Sequence, residues 1–313
     1  MTRPELSIVI PCFNEEENVR AICAAVHREA VDVVSSHEIV LIDNCSTDRT
    51  RSLIRELCAE DHRVRAIFNN RNYGQMRSPT YGLYQATGRA VIGMGADFQD
   101  PPSMIPGLVE QWRAGAQVVL AQRRSERASW LLNAVRRVGY AFLARFGDYP
   151  IIPGATGFGL FDRKVLDTLS GWNEPEPFFR GMVIESGFRL AVIPYDRPAR
   201  AAGESKNGFS QLAAFALSAL ASSARTLLRF PLFSAACSLL VTFGLAVTAL
   251  VAALMGKPSA TIGWLALGVA GFGLIMLALG VIAEQLRLVA ERSRNVPLVI
   301  EEERINFGAA AKR

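Results

Sequence analysis

The chain is poor in the residues that build most easily recognised sites. Its 313 residues include three histidines and five cysteines. Cys12, Cys23, Cys45, Cys58 and Cys237 show no paired metal spacing, and their number is odd. That argues against a zinc site and fits reduced thiols used as small apolar side chains. No G-x-G-x-x-G follows the first strand-like run, and no G-x-x-x-x-G-K-[ST] occurs anywhere. Neither a Rossmann dinucleotide site nor a P-loop is therefore expected. No signal peptide is expected either, since Met1-Thr2-Arg3-Pro4-Glu5 leads straight into a short strand-like run. The formal charge of +5 comes with scattered arginines and no nucleic-acid motif, so nucleic acid is not an expected partner.

Charge is missing altogether from two stretches, Phe230 to Gly256 and Pro258 to Ala283. Each is longer than the roughly 20 residues that cross a bilayer as a helix. Only Lys257 separates them, so they read as a hairpin of two spans with a tight turn at Gly256-Lys257-Pro258. Arg225 and Arg229 precede the first run, and Arg287, Arg292 and Arg294 follow the second. By the positive-inside rule both ends lie in the cytoplasm. The expected location is the cell (inner) membrane, multi-pass, with the N-terminal domain cytoplasmic.

What is present ahead of these runs alternates between two periods. Leu6 to Pro11 is a short apolar strand. Asn14 is read as a helix cap with Glu17 as its capping-box partner, before the stripe Val19, Ile22, Cys23, Val26. Glu38 to Asp43 is a second strand, followed by a helix over roughly Arg49 to Cys58. Val64 to Phe68 is a third strand, and Gln75 to Ala86 a helix. Further strands are read over Thr156 to Phe161 and Arg189 to Tyr195. This order implies an α/β domain whose largely parallel sheet is covered on both faces. A weakly amphipathic, interfacial helix is read over 209–229, and a strand over Val296 to Ile300 before the acidic Glu301-Glu302-Glu303.

Ligands of such sheets collect at the carboxyl ends of strands. Asn14 and Glu15 follow the first strand, Asp43 and Asn44 the second, and Asp97 and Gln99 the fourth. In Ala90 to Pro102 an apolar strand runs out through Gly93 and Gly95, and a Pro-Pro stop closes the stretch. A period of two would point Asp97 and Gln99 the same way, as two oxygen ligands for a hard cation such as Mg²⁺ or Mn²⁺. The same residues also read as a surface turn, and by themselves leave both readings open. Farther on, Arg123, Arg124, Arg127, Arg136 and Arg137 are interleaved with Trp130 and Tyr140. That pattern suits either a helix receiving an anionic head group at a membrane or a solvated helix face.

Together these stretches resemble a family 2 glycosyltransferase of GT-A fold, in particular the polyprenyl-phosphate glycosyltransferases, which include dolichyl-phosphate mannose synthase. The resemblance is carried by Ser7 to Pro11 with Asn14-Glu15, by Asp43 with Ser46-Thr47-Asp48, and by Asn72-Tyr73-Gly74. It continues through Asp97-Phe98-Gln99-Asp100-Pro101-Pro102, Phe161-Asp162-Arg163, Phe179-Arg180-Gly181 and Gly203-Glu204-Ser205-Lys206. It implies a GT-A domain over 1–208, the interfacial helix over 209–229, two spans within 230–286 (230–256 and 260–284), and a cytosolic tail over 287–313.

The resemblance also implies roles. Pro11, Asn14, Glu15, Asp43 and Asp97 would bind a nucleotide-sugar donor, and Asp97 and Gln99 a divalent cation (Mg²⁺ or Mn²⁺) on its diphosphate. Arg123, Arg136, Arg137 and Lys206 would meet the phosphates of the donor and of a polyprenyl phosphate acceptor. Asp97 and Arg123 are the expected catalytic pair. Whether the chain forms a homo-oligomer stays open.

Three departures from the family pattern stand out. The family's Asp-x-Asp reads Gly95-Ala96-Asp97, its Asp-Asp after the second strand reads Asp43-Asn44, and its Gly-Asp-Phe-Arg-Leu reads Thr156-Gly157-Phe158-Gly159-Leu160, which loses both an acid and an Arg. An inverting, metal-dependent transferase is the leading expectation. The alternative is a catalytically degenerate relative that binds nucleotide-sugar or lipid as a partner or regulator. A processive polysaccharide synthase is disfavoured, because two spans make no channel and no Gln-x-x-Arg-Trp motif is present.

Overall fold

Alternation along Leu6–Cys12 (β1) sends Ile8 and Ile10 to one side and Val9 to the other, and all three are buried. A strand apolar on both sides needs cover on both faces of its sheet. The computed structural model describes residues 3–124, 152, 154–175, 177–196, 198 and 296–308, with scattered helical positions between 268 and 293. After β1 come α1 (Val19–Val31), β2 (His37–Asp43), α2 (Thr50–Glu60), β3 (Val64–Asn69), α3 (Gly74–Gln85) and β4 (Ala90–Gly93). Then follow α4 (Ile105–Arg113), β5 (Val118–Arg123), β6 (Ala155–Asp162), α5 (Arg163–Ser170), α6 (Phe179–Glu185), β7 (Leu190–Tyr195) and β8 (Glu301–Ile305).

These strands form one sheet in the order β7-β5-β6-β4-β1-β2-β3-β8. The run β4-β1-β2-β3 is parallel, as the alternating pattern implied. The other half is mixed: β6 runs antiparallel to both β4 and β5, while β7 is parallel to β5. β6 is separated from β5 by about thirty residues of chain, long enough to bring it back in the opposite direction. β1, β2, β3, β4, β5 and β7 therefore all end at one edge of the sheet.

One face is packed by Val19, Ile22 and Val26 of α1, Ile54 of α2, and Leu108 and Val109 of α4, over Ile8, Ile10, Leu41 and Phe68. The other is packed by Leu83 of α3, Leu166 of α5 and Met182 of α6, over Val9, Val40, Ile42 and Phe161. α3 comes close enough that a Cβ on Gly82 would stand 2.9 Å from Val9 Cγ1. Pro11 is tolerated in a central strand because the β1–β4 ladder ends at Val9 and Gly93.

Two local expectations need correction. The first helix begins at Val19, not at Asn14, whose φ of +55° is left-handed and outside any cap geometry. The C-terminal strand covers Glu301–Ile305 and not Val296 to Ile300. The acidic run can lie in the sheet because it sits on an edge beside arginines of α2: Arg51 pairs with Glu302 at 2.7 Å and Arg55 with Glu303 at 2.7 Å.

Among the described residues no helix is long and apolar enough to cross a membrane. The expected interfacial helix and first span lie outside the described residues. Described positions of the second include Ile275, Leu279 and Ile282, continued by Leu286 and Val289. All five are exposed and stand alternately four and three residues apart, on one helix face.

His37 opens β2 buried, with its Nε2 3.0 Å from Nδ1 of His27. Burial, then the neighbouring His27 and Arg63, pushes its pKa from 6.5 to about 4. A base whose folded pKa is depressed contributes stability that is complete above pH 6.5 and is lost as pH falls toward 4. The melting temperature is expected to drop through that window, and His37→Gln to flatten the drop. An equally steep curve in the variant would contradict the assignment.

Candidate active site

Three loops meet at the carboxyl edge of the parallel strands. Each contains a non-glycine residue with positive φ: Asn14 (+55°) after β1, Cys45 (+64°) after β2 and Phe98 (+59°) after β4. Left-handed backbone at Cys or Phe is costly and persists where surrounding contacts hold it, most often at ligand sites.

The first two loops are tied together. Asn14 N donates to Ser46 Oγ at 2.9 Å, Thr47 N donates to Asn14 Oδ1 at 2.8 Å, and Glu15 N donates to Thr50 Oγ1 at 2.8 Å. The Glu15 carboxylate accepts from Asn18 Nδ2 at 2.8 Å. Asn14 thus acts as a clasp between two loops, a role invisible to a capping pattern. Pro11 is the penultimate residue of β1, beside Ile42 of β2.

Asp43 ends β2 fully buried. Its carboxylate accepts from Ser46 N at 3.2 Å and lies 3.4 Å from Nε of Arg51. Burial raises its pKa above the ordinary carboxylate value, while Ser46 and Arg51 oppose the rise. Next to it, Asn44 does what an aspartate cannot. Its Nδ2 donates to Asn72 Oδ1 at 2.8 Å, while its Oδ1 accepts from Tyr73 N at 2.9 Å and Asn69 Nδ2 at 3.1 Å. This departure from Asp-Asp is accounted for by the loop leading into α3, which needs both a donor and an acceptor at position 44.

The third loop differs from the extended geometry expected of it. β4 stops at Gly93, and the chain turns at Phe98, so strand alternation does not reach Asp97 and Gln99. Gln99 N instead donates to Asp97 Oδ1 at 3.2 Å. A residue not singled out from the sequence enters here. Asp100 accepts from Gly95 N at 2.9 Å and from the Tyr195 hydroxyl at 3.2 Å. A Cβ on Gly95 would stand 3.3 Å from Asp97 Oδ1 and 3.5 Å from Asp100 Oδ2. Two carboxylates therefore border the space where the family's extra acid would project. Carboxylate oxygens are what a hard divalent cation takes, so by their chemistry Asp97 and Asp100 could serve as two of its ligands, though among the described residues no third acid, histidine or cysteine joins them.

Arg123 stands at the same edge of the sheet. It ends β5 opposite Tyr195 in the β5–β7 ladder, and Tyr195 reaches Asp100, which brings the two expected catalytic residues to one edge. Arg136, Arg137 and Lys206 lie outside the described residues. Of the cysteines near this edge, Cys12 is buried and held well above the ordinary thiol pKa by burial, which makes it inert.

The family model "Glycosyl transferase family 2" matches residues 7–170. The bactoprenol glucosyl transferase of Shigella phage SfV is 31% identical over 303 residues, 95% of this chain and 97% of its own. The prophage bactoprenol glucosyl transferase homolog of Escherichia coli (strain K12) is 34% identical over 66% of this chain and 68% of its own. A crystal structure of glucosyl-3-phosphoglycerate synthase from Mycobacterium tuberculosis with Mn²⁺, UDP and glucosyl-3-phosphoglycerate covers 70% of this chain and 78% of its own, at 18% identity and a TM-score of 0.48. With its mixed α/β sheet and this site at the strand ends, the chain belongs to glycosyl transferase family 2 and is a glycosyltransferase.

Proposed function

We propose that the protein is a membrane-anchored, inverting transferase that moves a sugar from a nucleotide-sugar to a polyprenyl phosphate at the cytoplasmic leaflet. The observation that carries this reading is the convergence of Asp97 and Asp100 on the space at Gly95, beside the loops of β1 and β2. The bactoprenol glucosyl transferases, similar over nearly the whole chain, support the acceptor class. The uncharged runs and the exposed apolar face at Ile275, Leu279 and Ile282 support contact with lipid.

In this reading the sugar C1 loses its bond to the donor diphosphate and gains one to an oxygen of the acceptor phosphate. A phosphate monoester has its second pKa near about 6, so the nucleophile is already an anion and no strong general base is needed. The loops of β1 and β2, with Asp43, hold the nucleoside. Asp97 and Asp100 would hold a divalent cation, which when bound supplies charge to offset the departing diphosphate. Arg123, with Arg136, Arg137 and Lys206, offers cationic hydrogen bonds to phosphate oxygens.

Gly95 favours the rival reading, a binding-only relative, because one family carboxylate is absent. Membranes carrying the protein are incubated with radiolabelled UDP-glucose, GDP-mannose and other donors, and lipid is then extracted. Label in lipid, released by mild acid, is expected and ends the rival. Label confined to water-soluble product overturns the transfer to lipid.

A further inference from the structure

We propose that the C-terminal strand is a positioning element of the donor site, in which Glu302 acts through Arg51 to hold the Asp43 carboxylate. The proposal rests on the reading of Asp43 as a donor contact. Arg51 stands in the first turn of α2, just after the β2 loop. Its guanidinium lies between two carboxylates, with Nε 3.4 Å from Asp43 Oδ2 and Nη2 2.7 Å from Glu302 Oε2. The Phe68 ring lies beneath it, with Arg51 Cζ 5.1 Å from the ring centroid. The hydrogen bond to Glu302 and the Phe68 ring orient the guanidinium, and Nε faces Asp43 as an ion pair without a hydrogen bond.

The strand geometry selects Glu302 for this contact. In the antiparallel β3–β8 ladder Phe68 pairs with Glu303, but Asn69 pairs with Glu301. Glu302 is the extra residue of a β-bulge, a device that re-aims one side chain out of the strand alternation. Its neighbour Glu303 keeps its place in the ladder and pairs with Arg55, which has no ion pair to Asp43. The same segment is anchored at both ends of the bulge. Asn70 N donates to Ile300 O at 3.1 Å, Arg77 Nη2 donates to Pro297 O at 3.0 Å, and Asn306 Nδ2 donates to Val64 O at 2.8 Å.

Asp43 is fully buried, and Arg51 is its cationic neighbour at the base of the donor loop. With Glu302 neutralised, one end of the guanidinium is free to turn toward water. The Asp43 carboxylate then loses its fixed counter-charge and, with it, the geometry that the Ser46 loop depends on. A side chain 251 residues away in sequence from Arg51 thus acts on nucleotide binding without touching the nucleotide.

The test is isothermal titration of the detergent-solubilised full chain with UDP and with GDP, each with Mn²⁺. Glu302→Gln is expected to weaken binding about fivefold, the effect of one partly exposed ion pair. Glu303→Gln, its ladder neighbour, leaves binding unchanged. Glu302→Asp, which restores the charge at the bulge, brings affinity back to within about twofold. Asp43→Asn weakens binding by itself and makes Glu302→Gln silent when the two are combined. Weak binding in Asp43→Asn together with unchanged binding in Glu302→Gln overturns the positioning role alone. Unchanged binding in Asp43→Asn, or no binding of either nucleotide by the wild-type chain, removes the donor reading on which the role rests. Equal losses in Glu302→Gln and Glu303→Gln would mean that the strand only stabilises the fold, and would also overturn the proposal.

Discussion

Asp97→Ala abolishes sugar transfer while the chain stays folded, a loss of about 10³-fold or more in kcat/KM. The size follows from what the carboxylate is asked to do. Departure of a nucleoside diphosphate builds negative charge on its leaving oxygen. Charge placed there in advance acts at low dielectric and needs no rearrangement when the bond breaks. This chain has glycine at position 95, so in the proposed reading Asp97 would carry more of a cation's hold than it would beside a second family acid. Asp100 is already engaged by Gly95 N and Tyr195, which suits it to support a cation more than to replace Asp97. Asp97 Oδ1 also accepts from Gln99 N across a turn, a bond worth about 1 kcal/mol, so folding and chemistry have to be read apart. Asp97→Asn separates the two effects, because the amide oxygen still accepts from Gln99 N and the charge is gone. Both variants are measured by lipid-extractable label from purified protein in vesicles, with melting curves recorded alongside. Full transfer by Asp97→Ala would refute the cation assignment. An active Asn variant beside an inactive Ala variant would reduce Asp97 to a turn residue.

The parallel half of the fold was legible because each of its strands carries its own apolar run, and a period-two or period-3.6 pattern is a local property. The loops at the strand ends were legible as polar, but their geometry was not. Asn14 has the composition of a cap, yet it is held left-handed by hydrogen bonds to Ser46 and Thr47, more than thirty residues on. Asp97 and Gln99 looked like strand neighbours only until Phe98 turned the chain. Asp100 reads as one more polar residue before Pro101, because its partner Tyr195 arrives from another strand. The acidic run at Glu301 to Glu303 resembles a solvated tail, and only the arginines of α2 make it an edge strand. For Asn14, Asp100 and the acidic run the missing information was a contact distant in sequence, and for Asp97 and Gln99 a local left-handed turn; no periodicity contains either.

Glu38→Ala is expected to destabilise the domain by about 3–5 kcal/mol, the usual result of removing one partner from a buried charge pair. Glu38 stands near the start of β2, at the sheet edge opposite the site, and is only 2% exposed. Its two oxygens accept from the Ser7 hydroxyl at 2.5 Å, Thr87 N at 2.6 Å, the Thr87 hydroxyl at 2.9 Å and Arg65 Nη1 at 2.6 Å. Ser7 Oγ in turn accepts from Gly88 N at 2.7 Å, so the carboxylate organises the whole connection between α3 and β4. Alanine leaves a buried hydroxyl and a backbone N–H without their acceptor and takes the counter-charge from the mostly buried Arg65, which keeps only the Thr87 hydroxyl as acceptor, and each such orphan costs more than the bond contributed. Against a total of about 5–15 kcal/mol for a domain, the loss lowers the melting temperature by on the order of 10 °C. Glu60→Ala, which removes an exposed partner of Arg20, should leave the melting temperature unmoved. Below its transition the Glu38 variant should retain wild-type kcat/KM, since the described partners of Glu38 are Ser7, Arg65 and Thr87, at the opposite edge from the loops of β1, β2 and β4. A Glu38 variant that melts normally would mean that water replaces the carboxylate at every donor. One that melts normally but transfers poorly would tie this edge to catalysis, against the separation of anchoring and chemistry that the sheet implies.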